Sequence, residues 1–263
     1  MKSLAVVFSG MKKYGLGVYI CISFFIFSCS QRHYSVANAH AHNDYEHPVP
    51  FYTAWNAGYG SIEADVFVAG DSLYVAHNKK DIQLQRTLYR LYIAPLAREM
   101  ATDSSRKLRL LVDIKADHER TLSLLASELR PLMPWLSTMG HPNRLTLVVT
   151  GNRPAPEQYS EYPLFFFFDD DLKLAHNSEE WARVAQVSLP FNKLSDWKGD
   201  GPIARSDKQV IRHKIDSVHA SGKAIRFWAA PDTTASWKLQ KKLKADFIGT
   251  DKIAELSNWL RVN

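Results

Sequence analysis

The stretch Ser61-Ile62-Glu63-Ala64-Asp65-Val66-Phe67 decides the fold: a short run dominated by apolar residues that carries two carboxylates two residues apart. Its near-continuous apolar character is that of a strand covered on both faces. In an extended segment Glu63 and Asp65 point to one side, and inside a closed barrel that side is the axis. Runs of the same kind recur at Ala37 to His42, Arg109 to Ile114, Leu145 to Thr150, Leu164 to Phe168, Ala185 to Leu189, Ala224 to Trp228 and Phe247 to Thr250. Amphipathic stretches separate them, and that alternation predicts eight βα units around a parallel sheet, a (β/α)8 TIM barrel. Helices are expected at Pro50 to Ala57, Ile82 to Met100, Leu122 to Leu132, Glu179 to Arg183, Asp207 to Ser221 and Ser236 to Lys244. An extra strand is expected at Asp71 to His77, turned by Gly70-Asp71.

Function in such a barrel gathers at the carboxyl ends of the strands. His40, His42, Asn43 and Asp44 end the first strand, Glu63 and Asp65 lie in the second, His77 follows it, and Asp113 and Lys115 end the third. Glu63, Asp65 and Asp113 form an all-oxygen donor set suited to a divalent metal, Mg2+ or Ca2+; the bland alternative is a set of salt-bridged residues at the rim. Lys115 shares the face of Asp113 and is placed to meet a phosphate oxygen. A histidine titrating near neutrality can serve as acid or base in phosphodiester cleavage, and His40 and His77 are the candidates. His42 and His47 remain ambiguous. Arg153, Arg226 and Trp228 stand at other strand ends, where Trp228 either lines a cleft or belongs to the core. Asp251, after the eighth strand, is placed to orient a histidine or bind hydroxyls. Phe165 to Phe168 reads as a buried strand, and Asp169-Asp170-Asp171 as a solvated loop.

Residues 1–28 have the layout of a signal peptide: Lys2, Lys12 and Lys13, no acidic residue, and an apolar run from Tyr14 to Phe27. Met11 is the better start, because a charged segment should abut the apolar run. That run is shorter than the ~20 residues a spanning helix needs. It ends at Ser28-Cys29, which resembles a bacterial lipoprotein signal with Cys29 as the lipid-modified residue; the alternative is an ordinary secretory peptide. The expectation is an exported bacterial lipoprotein, membrane-anchored in the cell envelope, periplasmic or outer-membrane. Residues 29–36 would be a tether and 37–263 a single domain. The other cysteine, Cys21, falls inside the signal, so no disulfide is expected. The net charge of +6 owes half its size to the three signal-segment lysines. No basic run points to nucleic acid.

The order His40-Ala41-His42-Asn43-Asp44-Tyr45, then Ile62-Glu63-Ala64-Asp65-Val66, then Val75-Ala76-His77-Asn78 resembles the phosphatidylinositol-specific phospholipase C and glycerophosphodiester phosphodiesterase superfamily. The opening motif, Val149-Thr150-Gly151-Asn152-Arg153-Pro154 and Ile225-Arg226-Phe227-Trp228 with Pro231-Asp232 resemble, more narrowly, the branch named for altered inheritance of mitochondria protein six. The resemblance implies metal ligation by Glu63, Asp65 and Asp113, acid–base work by His40 and His77, and a supporting role for Lys115. His40 with Asn43 also resembles the His-x-x-Asn of sphingomyelinase D enzymes, which favours His40 over His42. The usual His-Arg-Gly and Pro-Glu-Asn-Thr motifs are missing, which leaves Arg153 or Arg226 to replace the phosphate-binding arginine, with His42, Asn43 and Trp228 beside the substrate. The expected activity is metal-dependent hydrolysis of a glycerophosphodiester or phospholipid-derived phosphodiester. The rivals are a sphingomyelinase D-like lyase and a lipid-anchored binding protein without turnover.

Overall fold

The computed structural model describes residues 33–263. Nine strands are present: β1 (Ala39–Ala41), β2 (Ser61–Ala69), β3 (Ser72–Val75), β4 (Leu108–Ile114), β5 (Leu145–Gly151), β6 (Phe166–Asp170), β7 (Val184–Pro190), β8 (Ala224–Trp228) and β9 (Ile248–Thr250). All but β3 pair in parallel, in the order β8-β7-β6-β5-β4-β2-β1-β9. A single bridge, Arg226 to Phe247, joins the two ends, and the Asp246 N–H donates to the Ile225 carbonyl beside it at 2.9 Å. The result is a near-closed barrel of eight parallel strands, as the apolar runs predicted. The extra strand is also present, as β3, antiparallel on β2.

Seven helices are described: α1 (Tyr52–Ala57), α2 (Ala94–Thr102), α3 (His118–Glu128), α4 (Ser178–Ala182), α5 (Arg205–Ala220), α6 (Thr234–Leu243) and α7 (Ile253–Val262). Two stretches differ from expectation, the segment from Ile82 and the terminal helix. The segment expected to be helical from Ile82 is not helical until Tyr89–Ile93, a wide π-type turn that runs into α2. Its first part serves β3 instead: the Val75 N–H donates to the Arg86 carbonyl at 2.8 Å, and Tyr74 bridges Thr87. Between β5 and β6 only a 3-10 turn, Pro156–Glu161, replaces a helix, since Pro154 and Pro156 lack the N–H groups a helix needs there. The terminal helix α7 was not expected. It buries Ile253, Leu256 and Leu260 along one stripe, and Tyr59 and Arg261 tie it to α1 through bonds to the Ile253 and Ala57 carbonyls at 2.9 and 2.8 Å.

The hydrophobic core lies between sheet and helices. Ile62, Ala64 and Val66 of β2 are fully buried in it with Leu110, Val112, Leu147 and Phe168, and a second cluster joins β7 and β8 to α5 and α6 through Ile211, Ile215 and Leu243. Alternate residues face the axis, and that interior is polar. Arg109 of β4 donates to Gln186 of β7 across it at 2.6 Å. Among the described residues no helix is long and apolar enough to cross a membrane.

Candidate active site

Strand register assembles the site. Paired residues of a parallel sheet project to the same face, and Asp65 on β2 is in register with Asp113 on β4, which is in register with Thr150 on β5. Three oxygen-bearing side chains therefore occupy one layer at the carboxyl ends of the strands, with Glu63 one layer deeper. Ligand oxygens of Glu63, Asp65 and Asp113 lie within 4.8 Å of one another. Gly151 makes room for them: its φ is +74°, and a Cβ there would come within 1.9 Å of Asp113 Oδ1.

Three carboxylates this close repel, which disfavours charging all of them. Burial, with the charge of Glu63, pushes Asp113 up to about 6 against the pull of Lys115. Burial and Glu63 raise Asp65 as well. Burial also works against the Glu63 carboxylate, but Arg226 and the His40 hydrogen bond outweigh it and hold Glu63 well below the usual range. Lys115 Nζ lies 2.7 Å from both Asp65 Oδ2 and Asp113 Oδ2. Two side-chain cations thus meet three anions, and the excess negative charge of an all-oxygen set fits a hard divalent cation.

The two histidines of the first strand sit at different depths. His40 is fully buried, with Nδ1 2.8 Å from Ser61 Oγ and Nε2 2.7 Å from Glu63 Oε2 and 2.9 Å from Arg226 Nη1. Burial and the Arg226 charge lower it to about 4, so the ring is neutral. His42 stands one pleat repeat higher, at the opening, with Nδ1 2.8 Å from Asp251 Oδ1. Burial pulls its pKa down, but the Asp251 hydrogen bond and the charges of Glu63 and Asp251 prevail and raise it above the usual value. Its Nε2 makes no hydrogen bond among the described residues. Both ring nitrogens of His40 are engaged in the interior, whereas His42 lines the cavity.

His77 is exposed beside Asp65, 3.6 Å from its Oδ2 and 3.3 Å from the Tyr45 hydroxyl. That hydroxyl lies 2.7 Å from Asp65 Oδ2 and 2.9 Å from Asn43 Oδ1, and burial with the Asp65 charge keeps it protonated. Asn43 has a left-handed backbone, φ 48°, and its Nδ2 donates to Asp251 at 3.4 Å. Nothing in the sequence singles out Tyr45 from the motif that contains it. Asp44 is structural: its Oδ2 accepts from the Phe51 N–H at 2.6 Å and from the Tyr92 hydroxyl at 2.9 Å.

A cavity of about 610 Å³ opens above these groups, lined by His42, Glu63, Asp113, Arg153, Arg226 and Trp228 among others. Arg226 reaches it from within, its Nε donating to Ser188 Oγ at 2.8 Å. Arg153 is held 3.4 Å from Asp171 and 3.7 Å from Asp170. Trp228 is half exposed at the rim. The solvated loop expected at Asp169-Asp170-Asp171 is corrected: Asp169 and Asp170 end β6 and are buried, Asp169 accepting from Thr150 Oγ1 at 3.1 Å and Asp170 lying 2.8 Å from His176 Nε2. Asp169 directly follows Phe168, which pairs with Val149 of β5, and so its carboxylate meets the Thr150 hydroxyl.

A protein of the fungus Arthroderma benhamiae, an altered inheritance of mitochondria protein 6 homolog, is 30% identical over 227 residues, covering 73% of this chain and 72% of that one. The chain belongs to the altered inheritance of mitochondria protein 6 family. The Kluyveromyces lactis member is 27% identical over 304 residues, covering 85% of this chain and 72% of its own length. The family model described as the AIM6-like phosphodiesterase domain matches residues 30–102, the segment that contains His42, Glu63, Asp65 and His77. The barrel is also similar to a calcium-dependent phosphoinositol-specific phospholipase C from Pseudomonas sp (TM-score 0.57, 13% identity, 86% of this chain and 93% of that one). A glycerophosphodiester phosphodiesterase from Parabacteroides distasonis gives a TM-score of 0.52 at 16% identity, covering 81% and 88%. Membership of the altered inheritance of mitochondria protein 6 family corrects the expected localisation. These relatives are fungal, eukaryotic proteins and not exported bacterial lipoproteins, so the envelope assignment does not stand. Cys29, on which the anchor rested, lies outside the described residues.

Proposed function

We propose that this protein is a metal-dependent phosphodiesterase acting on a glycerophosphodiester or phospholipid-derived phosphodiester, with His42 in place of His40 as the histidine paired with His77. The observation that carries the reading is the clustering of the Glu63, Asp65 and Asp113 carboxylates, with His42, held by Asp251, lining the same cavity as Glu63 and Asp113, and His77 beside Asp65. A divalent cation held by those three carboxylates would supply Lewis-acid neutralisation of phosphate charge. The side chains do the remaining work. Asp251 holds the Nδ1 side of His42, which leaves Nε2 to take the proton of the attacking hydroxyl. His77 gives a proton to the leaving alkoxide oxygen. Lys115 and Arg226 face the carboxylates and balance charge as the phosphate enters. A substrate hydroxyl adjacent to the phosphate can replace water as the attacking group, and the first product is then cyclic.

Lys115, bridging Asp65 and Asp113, favours a second reading in which the barrel binds a phosphodiester without turnover. Hydrolysis of bis-p-nitrophenyl phosphate in the presence of Ca2+ or Mg2+ separates the two. Activity abolished by chelation and by His42→Ala supports the enzyme; activity that survives both overturns this mechanism, and no turnover with either ion leaves the binder.

A further inference from the structure

The cavity is wider than a phosphodiester needs, and the wall farthest from the three carboxylates carries positive charge with nothing to meet it. Lys193 and Lys214 both line it, and neither ammonium makes an ion pair or hydrogen bond among the described residues. The other charged side chains of the wall have partners within it: Glu63 lies 3.4 Å from Arg226, Asp113 2.7 Å from Lys115, Asp170 and Asp171 share Arg153, and Asp171 also meets Lys173. Lys214 is partly buried on α5, one turn from the core residues Ile211 and Val218. Lys193 closes the 3-10 turn Phe191–Lys193 directly after β7. That mount is firm, because Phe191 is buried edge-on against Phe227, and Ser195, two residues after the turn, donates to Asp207 of α5 at 2.8 Å. The two lysines thus come from adjacent, mutually tethered elements, and β5 and β6 separate β7 from the Asp113 strand. Trp228, in register with Pro190 at the end of β7, offers a flat wall beside them.

We propose that Lys193 and Lys214 form a second anion subsite, so that the preferred substrate carries a further phosphate or carboxylate on the group attached to the phosphodiester. The proposal rests on the phosphodiesterase reading and names its substrate class. Charge-assisted contacts of this kind correspond to a preference of about tenfold or more. Matched pairs test it: glycerophosphoinositol 4-phosphate against glycerophosphoinositol for phosphate, and glycerophosphoserine against glycerophosphoethanolamine for carboxylate. The wild-type kcat/KM is expected to favour the extra anion in at least one pair by about tenfold, and the pair that shows it identifies the group. The Lys193→Met/Lys214→Met protein should lose that ratio, chiefly through KM, and the Lys193→Arg/Lys214→Arg protein should keep it. No preference in either pair, or a ratio unchanged in the methionine variant, overturns the subsite. Calorimetric binding of inositol 1,4-bisphosphate against inositol 1-phosphate reads the same discrimination without turnover. Failure to cleave bis-p-nitrophenyl phosphate would therefore sink the phosphodiesterase reading alone, while equal binding within both the inositol phosphate pair and the glycerophosphoserine and glycerophosphoethanolamine pair would sink the subsite alone.

Discussion

His40 and His42 differ in fate because β1 is short. Residues two apart on a strand share a face, so both histidines turn toward the barrel axis, but β1 ends at Ala41. His40 is left in the closed interior and His42 at the opening, about 7 Å further along. Replacing them should have different consequences. His42→Ala is expected to lower kcat/KM by about 10²–10⁴ at an unchanged melting temperature. His40→Ala strips Ser61, Glu63 and Arg226 of a buried partner and should cost about 1–3 kcal/mol of stability. A His42→Ala enzyme with full activity would reverse the assignment. Asp251→Asn tests the pair itself. Without the carboxylate the His42 pKa falls, and since a base must be neutral to act, the acidic limb of the pH–rate profile should move to lower pH while kcat drops. A limb that stays put would show that another group sets it.

At the scale of elements, the strands were legible because burial on both faces leaves unbroken apolar runs, and Glu63, Asp65 and Asp113 were legible because carboxylates stand out in them. What could not be read was long-range. Residues 82–87 contain nothing that forbids helix, and their pairing with β3 decides otherwise. Asp169 and Asp170 look like a loop until the register of β5 and β6 draws them into the mouth. Gly151 is such a case: its sequence context shows only that it follows a strand, whereas the structure shows a position that Asp113 needs empty. Gly151→Ala should keep the fold yet displace the carboxylate, reducing activity and the response to divalent cation together; a variant normal in both would refute this. On α3, which packs on β3, burial pushes Glu128 up to about 7 against a Leu73 backbone hydrogen bond. The folded chain holds that proton where the unfolded chain has released it, so stability falls as pH rises from the ordinary carboxylate range to about 7. Glu128→Gln should stabilise the protein by about 1 kcal/mol at pH 8, discounted for its partial exposure, and by almost nothing at pH 4. Equal gains at both pH values would point to packing instead.

The whole barrel serves as a frame that brings strands distant in sequence to one charged mouth, and its stability should report what occupies that mouth. A cation that binds only the folded chain stabilises it by about 2.7 kcal/mol at a hundred times its dissociation constant. For a domain of this size that corresponds to a melting-temperature rise of about 5–10 °C. Ca2+ or Mg2+ should give such a rise in wild type, none in Asp113→Asn, and a reversal with chelator. Lys115 sharpens the test, because its ammonium sits between the carboxylates a cation would use. Removing a competitor tightens binding, so Lys115→Met should shift the cation response to lower concentration even as it weakens turnover by withdrawing a charge from the phosphate. If Lys115→Met leaves the cation midpoint where it is, the ammonium and the cation do not contend for one place. If neither ion moves the wild-type melting temperature, Lys115 itself is the resident counter-charge of the three carboxylates, and any hydrolysis must proceed with His42, His77 and side-chain cations alone.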